Sequence, residues 1–212
     1  MNIKSFTFNP FQENTYIVYD ETKECLIIDP GCYTDSEQKE LKTFINKEEL
    51  TPVKLINTHC HIDHVLGNHF VNEQWDIELH MHKEDLPILK NAKDIGKIYG
   101  LEAYKDSPHP KHFLSQGDTL TFGKSDFKIL FTPGHAPGHI CLYNKQSNLL
   151  ISGDVIFQRS IGRTDLPGGD YNTLINSIIT KIFPLPDKTQ IFCGHGPSTT
   201  LGYEKEHNPF LS

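Results

Sequence analysis

Seven consecutive residues constrain this chain more than any other feature: Thr58-His59-Cys60-His61-Ile62-Asp63-His64. Three imidazoles and one carboxylate fall within six positions, directly after an apolar run at residues 53–57 that predicts a strand. In an extended backbone His59 and His61 point to the same side, and the rigid sheet behind a strand end holds the loop that follows. The segment therefore predicts a metal-binding loop, because neutral imidazole is the commonest protein ligand for metals.

Three later segments repeat this context, each with a glycine directly before a candidate ligand. They follow predicted apolar strands and read Gly134-His135, Gly153-Asp154 and Gly194-His195. Glycine lets the backbone turn sharply and approach an ion without a clash from Cβ. A catalytic ion takes about three protein ligands and keeps one position open, so the full set exceeds the needs of one ion. The sequence predicts a site for two divalent ions formed by His59, His61, Asp63, His64, His135, Asp154 and His195.

The composition limits the partners and the compartment. The 212 residues predict one domain, 1–212, and the formal net charge of −7 disfavours nucleic acid as a partner because it repels phosphate backbones. No apolar run is long enough to cross a bilayer, and the N-terminus lacks the apolar core of a secretion signal. Five cysteines, an odd count without CxxC spacing, favour free thiols in a reducing compartment, so the cytoplasm is expected.

Apolar runs and amphipathic segments alternate along the chain. Strands are predicted at residues 4–8, 15–19, 25–29, 53–57, 77–81, 127–131, 140–143, 149–152 and 191–193. Helices are predicted at 35–48, from 65 to 75, at 171–183, and after a cap at Ser198 or Thr199. Residues 83–100 predict a helix interrupted at Pro87 and Gly96, and residues 104–116 a surface loop. Strands in both halves with helices between them predict a layered α/β or α+β fold.

The four ligand segments, in this order and context, resemble the metallo-β-lactamase fold family. The resemblance covers nearly the whole chain and implies a four-layer αββα sandwich. It also implies a division of the ligands: His59, His61 and His135 bind the first metal, and Asp63, His64 and His195 the second, with Asp154 bridging both. Two Zn²⁺ ions are the implied cofactors, with iron or manganese as alternatives.

Within that family, four motifs are similar to a short form of glyoxalase II: TPGHAPGH (132–139), SGDVIF (152–157), IGRTD (161–165) and GHGP (194–197). The resemblance implies a hydrolase of thioesters, hydroxyacylglutathione or a related compound, that acts through a metal-bridging hydroxide. Asp154 would hold the ions together and Asp63 would orient the hydroxide, so these two are the expected catalytic residues. Longer glyoxalase II enzymes hold glutathione with a C-terminal helical region, whereas this chain has 17 residues after His195, which leaves the thiol part of the substrate open.

Other activities of the same fold stay open at this point. Residues 162–165 also resemble the persulfide dioxygenases, which bind one iron through the positions that match His59, His135 and Asp154. A lactone or ester hydrolase is a further alternative, and a metal-binding protein without turnover is a weaker one because every ligand position is filled. A β-lactamase is disfavoured by the lack of a recognisable export signal, and the sequence does not indicate an oligomeric state.

Two residues are predicted to meet the substrate. Arg163 either binds an anionic group, which a guanidinium suits, or forms an ion pair with Asp165 that fixes its loop. The two roles are compatible. Tyr143 is predicted to line the substrate pocket.

Five residues near the motifs have expected supporting or passive roles. Asp29 and His139 are predicted to support metal ligands, because outer hydrogen-bond partners fix a ligand's orientation. Cys60 points away from its histidine neighbours in an extended backbone, so a packed thiol is predicted. His80 and His82 predict a surface pair at a strand end, since two ligands alone do not make a metal site.

Overall fold

Fourteen strands occur within residues 1–211, which are the residues that the computed structural model describes. The first half contains β1 (Asn2–Phe8), β2 (Glu13–Tyr19), β3 (Glu24–Ile28), β4 (Thr51–Ile56), β5 (Leu79–Met81) and β6 (His112–Phe113). The second half contains β7 (Thr119–Phe122), β8 (Ser125–Phe131), β9 (Ile140–Asn144), β10 (Leu149–Gly153), β11 (Ile156–Phe157), β12 (Ser160–Ile161), β13 (Gln190–Cys193) and β14 (Thr199–Thr200). Every predicted strand is present, with its ends within two residues of those expected.

The described residues also form six α-helices: α1 (Asp35–Lys47), α2 (Ile62–Val65), α3 (Asn68–Trp75), α4 (Leu86–Ile98), α5 (Tyr171–Ser177) and α6 (Leu201–His207). α1 begins after Thr34, whose hydroxyl accepts from the Glu37 N–H while the Glu37 carboxylate accepts from the Thr34 N–H. This reciprocal pair satisfies two backbone donors that the helix itself leaves without a partner. None of these six helices is both long and apolar enough to cross a membrane.

The strands form two six-stranded sheets and a small hairpin of β11 and β12. The first sheet has the order β1–β2–β3–β4–β5–β6, antiparallel from β1 to β3 and parallel from β3 to β6. The second sheet has the order β14–β13–β10–β9–β8–β7, in which β10 and β13 are parallel and the other neighbours are antiparallel. Each half of the chain therefore builds one sheet.

Three apolar clusters fill the spaces between the layers of the described structure: one between the two sheets, and one between each sheet and the helices on its outer face. Ile28 of β3 and Phe127 of β8 belong to the cluster between the two sheets, and Ile27 points to the opposite face, where it packs in one cluster with Leu41 of α1. On the outer face of the second sheet, Leu174 of α5 belongs to a third cluster. Each fully buried side chain of this kind contributes about 1.5–3 kcal/mol. The resulting order of helices, sheet, sheet and helices is the αββα sandwich that the sequence predicted.

The predicted interruption of the helix at residues 83–100 was wrong. α4 runs without a break from Leu86 to Ile98, after a single 3₁₀ turn at Lys83–Asp85. Pro87 lies in the first turn of α4, where the backbone N–H that proline lacks has no helical partner to lose. Gly96 is one residue in a helix whose apolar face is packed, and packing outweighs its low helix propensity of about 1 kcal/mol.

Three other boundaries differ in detail. The last helix is capped by Thr200 rather than by Ser198 or Thr199, because Thr199 and Thr200 pair with β13 as the short strand β14. Residues 171–183 are helical as predicted, but the turn at Ile178–Ile182 is a π-helix. The predicted loop at 104–116 contains β6, which adds a two-residue edge strand to the first sheet.

Candidate metal centre

The seven predicted ligands lie at the ends of four strands. β10 and β13 are parallel, and β8 runs in the same direction because two antiparallel pairings through β9 separate it from β10. The carboxyl ends of these three strands therefore meet at one edge of the second sheet, where they lead into His135, Asp154 and His195. β4 of the facing sheet leads into the segment 59–64, whose last part is the short helix α2. The site lies between the ends of the two sheets.

The first group consists of three imidazoles. Nε2 of His135 lies 2.8 Å from Nδ1 of His61 and 3.2 Å from Nε2 of His59. The three ring nitrogens lie within 4.8 Å of one another, as the ligands of one ion do. One ring nitrogen from each histidine therefore converges on a common point.

The second group consists of Asp63, His64 and His195, whose ligand atoms also lie within 4.8 Å of one another. Oδ2 of Asp63 lies 3.0 Å from Nε2 of His195 and 3.6 Å from Nε2 of His64. His64 is fully buried, whereas the side chain of His195 is 29% exposed, so the second group is open on one side.

Asp154 lies between the two groups. Its Oδ2 is 3.5 Å from Nε2 of His135 and 3.6 Å from Nε2 of His195, and its Oδ1 is 3.5 Å from Nε2 of His64. The backbone turns into the site at Gly153, whose φ of +47° favours glycine. One carboxylate thus faces members of both groups, as a bridging ligand does.

Hydrogen bonds fix the tautomers of three ligands. Nδ1 of His64 lies 3.1 Å from the Asp29 carboxylate, Nδ1 of His135 lies 2.7 Å from the Arg163 carbonyl, and Nδ1 of His195 lies 3.3 Å from the Gln12 carbonyl. Because all three partners are acceptors, each Nδ1 carries the proton and donates it. Each Nε2 then presents a lone pair to the site, which is the usual arrangement of metal-binding histidines.

Two buried atoms between the ligand groups indicate whether a cation fits the site. Nε2 of His64 and Oδ1 of Asp154 face each other at 3.5 Å, and neither has a hydrogen-bond partner among residues 1–211. Two buried acceptors without a donor are costly unless a cation lies between them. The nitrogen and oxygen donor set, three histidines on one side and two histidines with an aspartate on the other, suits zinc or iron. The residues present therefore fit a pair of divalent metal ions.

A family model described as the metallo-β-lactamase superfamily matches residues 8–195. The chain belongs to the metallo-β-lactamase superfamily. The match includes all seven ligands and every strand from β2 to β12, and ends at His195 after β13. Together with the ligand cluster, it makes the chain a metal-dependent hydrolase of that superfamily.

Curated relatives cover the whole chain. The probable metallo-hydrolase YqgX of Bacillus subtilis is 38% identical over 215 residues, which are 100% of this chain and 98% of that protein. The hydroxyacylglutathione hydrolase GloC of Haemophilus influenzae is 38% identical over 217 residues, with 100% and 99% coverage. These superfamily members are as long as this chain.

Solved structures agree with the fold. The crystal structure of the BLEG-1 B3 metallo-β-lactamase matches with a TM-score of 0.91 at 38% identity, covering 100% of both chains. That of TTHA1623 in a di-iron-bound form matches with a TM-score of 0.88 at 36% identity, covering 98% of this chain and 100% of that one. The superfamily fold is thus matched, and one of these structures holds two iron ions, whereas the identity of the metal in this chain is left open.

Burial and neighbouring charges set the protonation states of the candidate metal ligands. Burial lowers the pKa of His59 and His135, and that of His61 to about 3, so these rings are neutral. Burial raises the pKa of Asp154, but His64 and the neighbouring histidines outweigh it and hold that pKa well below its ordinary value. Burial likewise lowers the pKa of His64, yet Asp63 and Asp154 raise it overall. In the metal-free protein a proton on His64 therefore takes the place of a cation.

We expect metal affinity to rise with pH. The ordinary pKa of histidine is about 6.5, and that of His64 is higher, so the metal must displace a proton from Nε2 at neutral pH. The pKa of His195 is raised as well, so below these raised pKa values the apparent affinity should fall at least about tenfold per pH unit, with at least one proton released per ion at the second group. Calorimetric titration of Zn²⁺ into the metal-free protein, in buffers of different ionisation enthalpy, measures that proton. An affinity that is constant from pH 6 to 8 would contradict the expectation.

Asp29 and His139 support the ligands as the sequence predicted. The Asp29 carboxylate accepts from the backbone N–H of Thr58 at 2.7 Å and from its hydroxyl at 2.5 Å, besides holding His64. Nε2 of His139 accepts from the Asp154 N–H at 3.0 Å, and its ring stacks on that of His59 at 4.8 Å. Both residues hold ligand segments in place, and Asp29 also forms a group of potential ligand atoms with His59 and His64.

Three asparagines clamp the backbone of the ligand loops, and the sequence did not reveal them. Nδ2 of Asn14 donates to the carbonyls of Cys193 and Gly196, on either side of His195. Nδ2 of Asn57 donates to the carbonyl of His64. Nδ2 of Asn9 donates to the carbonyls of Gly31 and Asp63. Asn9 and Asn14 tie ligand segments to strand ends far away in the chain, and Asn57 ties the end of β4 to His64 seven residues later.

Substitution of Asn14 tests one clamp. In Asn14→Asp the carboxylate faces the carbonyl oxygens of Cys193 and Gly196 and can donate to neither, which releases the loop that carries His195. We expect the affinity for the second metal ion to fall about 10- to 100-fold, the usual effect of losing an outer partner. Metal content after dialysis against a graded chelator measures this loss. Asn46→Asp, at the last turn of α1, is the control, and equal losses in both variants would contradict the assignment.

The prediction for His80 and His82 was wrong in one respect, since both are buried rather than on the surface. The His80 ring stacks on His112 of β6 at 4.3 Å, and the His82 ring stacks on Phe131 at 4.2 Å. Neither belongs to a group of ligand atoms that could hold a metal within residues 1–211.

The expected packed thiol of Cys60 is confirmed, with Sγ 3.7 Å from Sδ of Met81.

The two predicted substrate residues differ in where the structure places them. Nε and Nη2 of Arg163 donate to the two Asp165 oxygens at 2.7 and 2.8 Å, which is the predicted ion pair. Arg163 also lines the cavity beside the ligands. Tyr143 is 8% exposed and packs with Leu130 in the core of the second sheet, so the structure does not bring it to the cavity.

A cavity of about 900 Å³ opens directly above the ligands. One wall is α4 with the residue that follows it, and the other is the segment from β11 to residue 168. Its floor contains His61, Asp63, His135, Asp154 and His195. A molecule bound in this cavity therefore reaches the open side of both metal groups.

Proposed function

We propose that this superfamily member is a dinuclear metal-dependent thioester hydrolase of the glyoxalase II type. The observation that carries the proposal is the bridging position of Asp154 between two complete ligand groups at the floor of one cavity. The name of the relative from Haemophilus influenzae, a hydroxyacylglutathione hydrolase, supports the choice of thioesters. Zn²⁺ is the proposed metal, with iron or manganese as alternatives.

Two divalent ions in this site would supply hydroxide at neutral pH and polarise a substrate carbonyl. Within the chain, Asp154 holds both ligand groups at a fixed separation. Oδ2 of Asp63 faces the cavity 3.0 Å from Nε2 of His195, where it can orient a water molecule and accept its proton. The leaving thiolate needs no proton from the enzyme, because with a thiol pKa of about 8.5 it is a weak enough base to leave unprotonated.

No side-chain nucleophile takes part in the proposed reaction. Cys60 is the thiol nearest to the ligands in sequence, and burial raises its pKa well above the ordinary value. A thiol without thiolate character is a poor nucleophile. The hydrolysis is therefore direct, without an acyl-enzyme, and a burst of released thiol in the first turnover is not expected.

Metal content measured alongside a substrate panel tests the proposal. The panel contains S-D-lactoylglutathione, a simple acyl thioester, a lactone, glutathione persulfide under oxygen, and a penicillin. Two metal ions per chain and cleavage of a thioester above all other compounds is the expected result. Cleavage of none of the thioesters by enzyme with two ions per chain would overturn it.

The other compounds separate the alternatives. One iron per chain with oxygen uptake on persulfide would identify a dioxygenase that uses His59, His135 and Asp154. Faster cleavage of the lactone would identify an ester hydrolase instead. The penicillin is included because a relative of 38% identity is a B3 metallo-β-lactamase.

A further inference from the structure

The walls of the cavity are apolar along most of their length. On α4 and the residue after it, the lining includes the polar Asn91 and six apolar or aromatic side chains: Pro87, Ile88, Ala92, Ile95, Ile98 and Tyr99. Phe157, Ile161, Leu166 and Pro167 line the opposite wall. Ile88 and Ile98 are ten positions apart in one helix, which separates them by roughly 15 Å along its axis. The cavity is therefore an apolar groove that leads away from the ligands.

The groove side of α4 is most exposed at the end of the helix, whereas Ile88 and Ile95 are partly buried and pack against the core. Ile98 is 76% exposed and Tyr99 is 52% exposed, whereas Leu89 on the other side of α4 is buried in the core. Large apolar side chains that cluster on a surface beside a site are typical of a binding groove. Phe11 packs edge-to-face on Tyr99 at 5.3 Å and lines the same cavity.

The lining of the groove offers few charged partners for a peptide such as glutathione. Among the described residues, and apart from the metal ligands, the charged residues of its lining are Glu84 and Arg163, and Asn91 and Ser160 are its uncharged polar ones. Both guanidinium contacts of Arg163 go to Asp165 in an exposed ion pair, so a substrate carboxylate would have to compete with Asp165 for this cation. Glutathione carries two carboxylates, and each would need a cation or several donors to leave water.

This inference rests on the thioester hydrolysis proposed above. We propose that the substrate is a thioester with a straight apolar acyl chain, and that the groove binds this chain. The thioester carbonyl lies at the ligands and the chain extends along Ile88, Ile95 and Ile98. The enzyme then prefers medium-chain acyl thioesters over S-D-lactoylglutathione. The oxygen of water bonds to the carbonyl carbon and the C–S bond breaks, giving a carboxylate and a thiolate. The two protons of the water pass to solvent, the first through Asp63, and one of them protonates the thiolate after it departs.

A chain-length series tests this inference. The metal-loaded enzyme is assayed with acetyl, butanoyl, hexanoyl and octanoyl thioesters of one small neutral thiol, N-acetylcysteamine, and with S-D-lactoylglutathione. Because each buried methylene contributes a roughly fourfold gain when fully covered, we expect kcat/KM to rise about twofold per methylene in this open groove. The octanoyl compound should then exceed both the acetyl compound and S-D-lactoylglutathione by more than about 30-fold.

Binding gives a readout that does not need turnover. Non-hydrolysable methyl ketones of the same chain lengths are titrated by calorimetry, and longer chains should bind more tightly with a more negative heat-capacity change. Hydrolysis or binding that does not depend on chain length would overturn the inference, as would a preference for S-D-lactoylglutathione. If no thioester is cleaved, the proposed function fails, and the ketone series alone decides whether the groove binds acyl chains.

Charged substitutions locate the chain in the groove. Ile95→Glu should lower kcat/KM for the octanoyl thioester at least about tenfold and change that for the acetyl thioester less than about twofold. Ile98→Glu is a second variant for the same measurement, and it should remain folded because this side chain is already 76% exposed. Ile179→Glu is the matched control, an isoleucine that is 52% exposed outside the groove. Equal losses on both thioesters would overturn the inference.

Discussion

Replacement of Asp154 by asparagine is expected to reduce metal content to at most one ion per chain and to abolish most activity. The carboxylate faces members of both ligand groups, and the amide keeps its size but loses the charge and one acceptor oxygen. Loss of a residue that only orients a ligand costs about 10- to 100-fold in affinity or activity, so loss of the bridge should cost more than about 100-fold in kcat/KM. Elemental analysis and thioester hydrolysis measure the two effects.

Asp126→Asn is the control for this variant, because Asp126 is an exposed carboxylate on β8, away from the ligand end of the strand. It should retain two ions and full activity. An Asp154→Asn enzyme that kept both ions and more than a tenth of its activity would show that Asp154 does not bridge them.

Gly194→Ala is expected to remove metal binding while the protein stays folded. A Cβ at this position would overlap Oδ1 of Asp154 and lie 2.8 Å from Cε1 of His64, so the carboxylate must rotate out of the site. Asp154 can move without unpacking the core, and unfolding free energy should fall by no more than about 1–3 kcal/mol, as for other overpacked positions. We expect thioester hydrolysis to fall more than about 100-fold, since both groups lose their shared ligand.

Gly196→Ala is a matched control two residues further on. This glycine has a φ of +70°, and no atom lies within 4 Å of the point that a Cβ would occupy, so alanine there adds backbone strain without a clash. It should cost about 1 kcal/mol of stability and leave metal content at two ions per chain. If both variants lost metal equally, backbone strain rather than the clash with Asp154 would be responsible.

The ligands could be predicted from the sequence because their context is local. A strand, a glycine and a histidine or aspartate recur in adjacent residues, and the sheet then brings the strand ends together. The clamp of Asn14 on Cys193 spans 179 residues, and no local pattern distinguishes it from an ordinary polar residue at a strand start. The burial of His80 was missed for a similar reason, because β6 covers it from a segment that predicts a loop.

The substrate groove could not be predicted either. A helix such as α4 shows its apolar positions in the sequence, but not which of them face the core and which face a cavity. Tyr143 illustrates the same limit on a strand. Its position beside a ligand segment suggested the pocket, whereas the alternation of β9 turns its ring to the outer face of the second sheet.

The metal ligands come from both sheets, four from the loop after β4 and three from the ends of β8, β10 and β13. Ions bound there would cross-link the amino- and carboxyl-terminal halves of the chain. Within residues 1–211 no disulfide joins these halves, because all five cysteines are free. Ions that bind only the assembled halves add about 2.7 kcal/mol per site at a hundredfold excess over Kd. Chelation should therefore lower the melting temperature of the entire sandwich, and cellular metal supply would govern how long the protein survives as well as how fast it works.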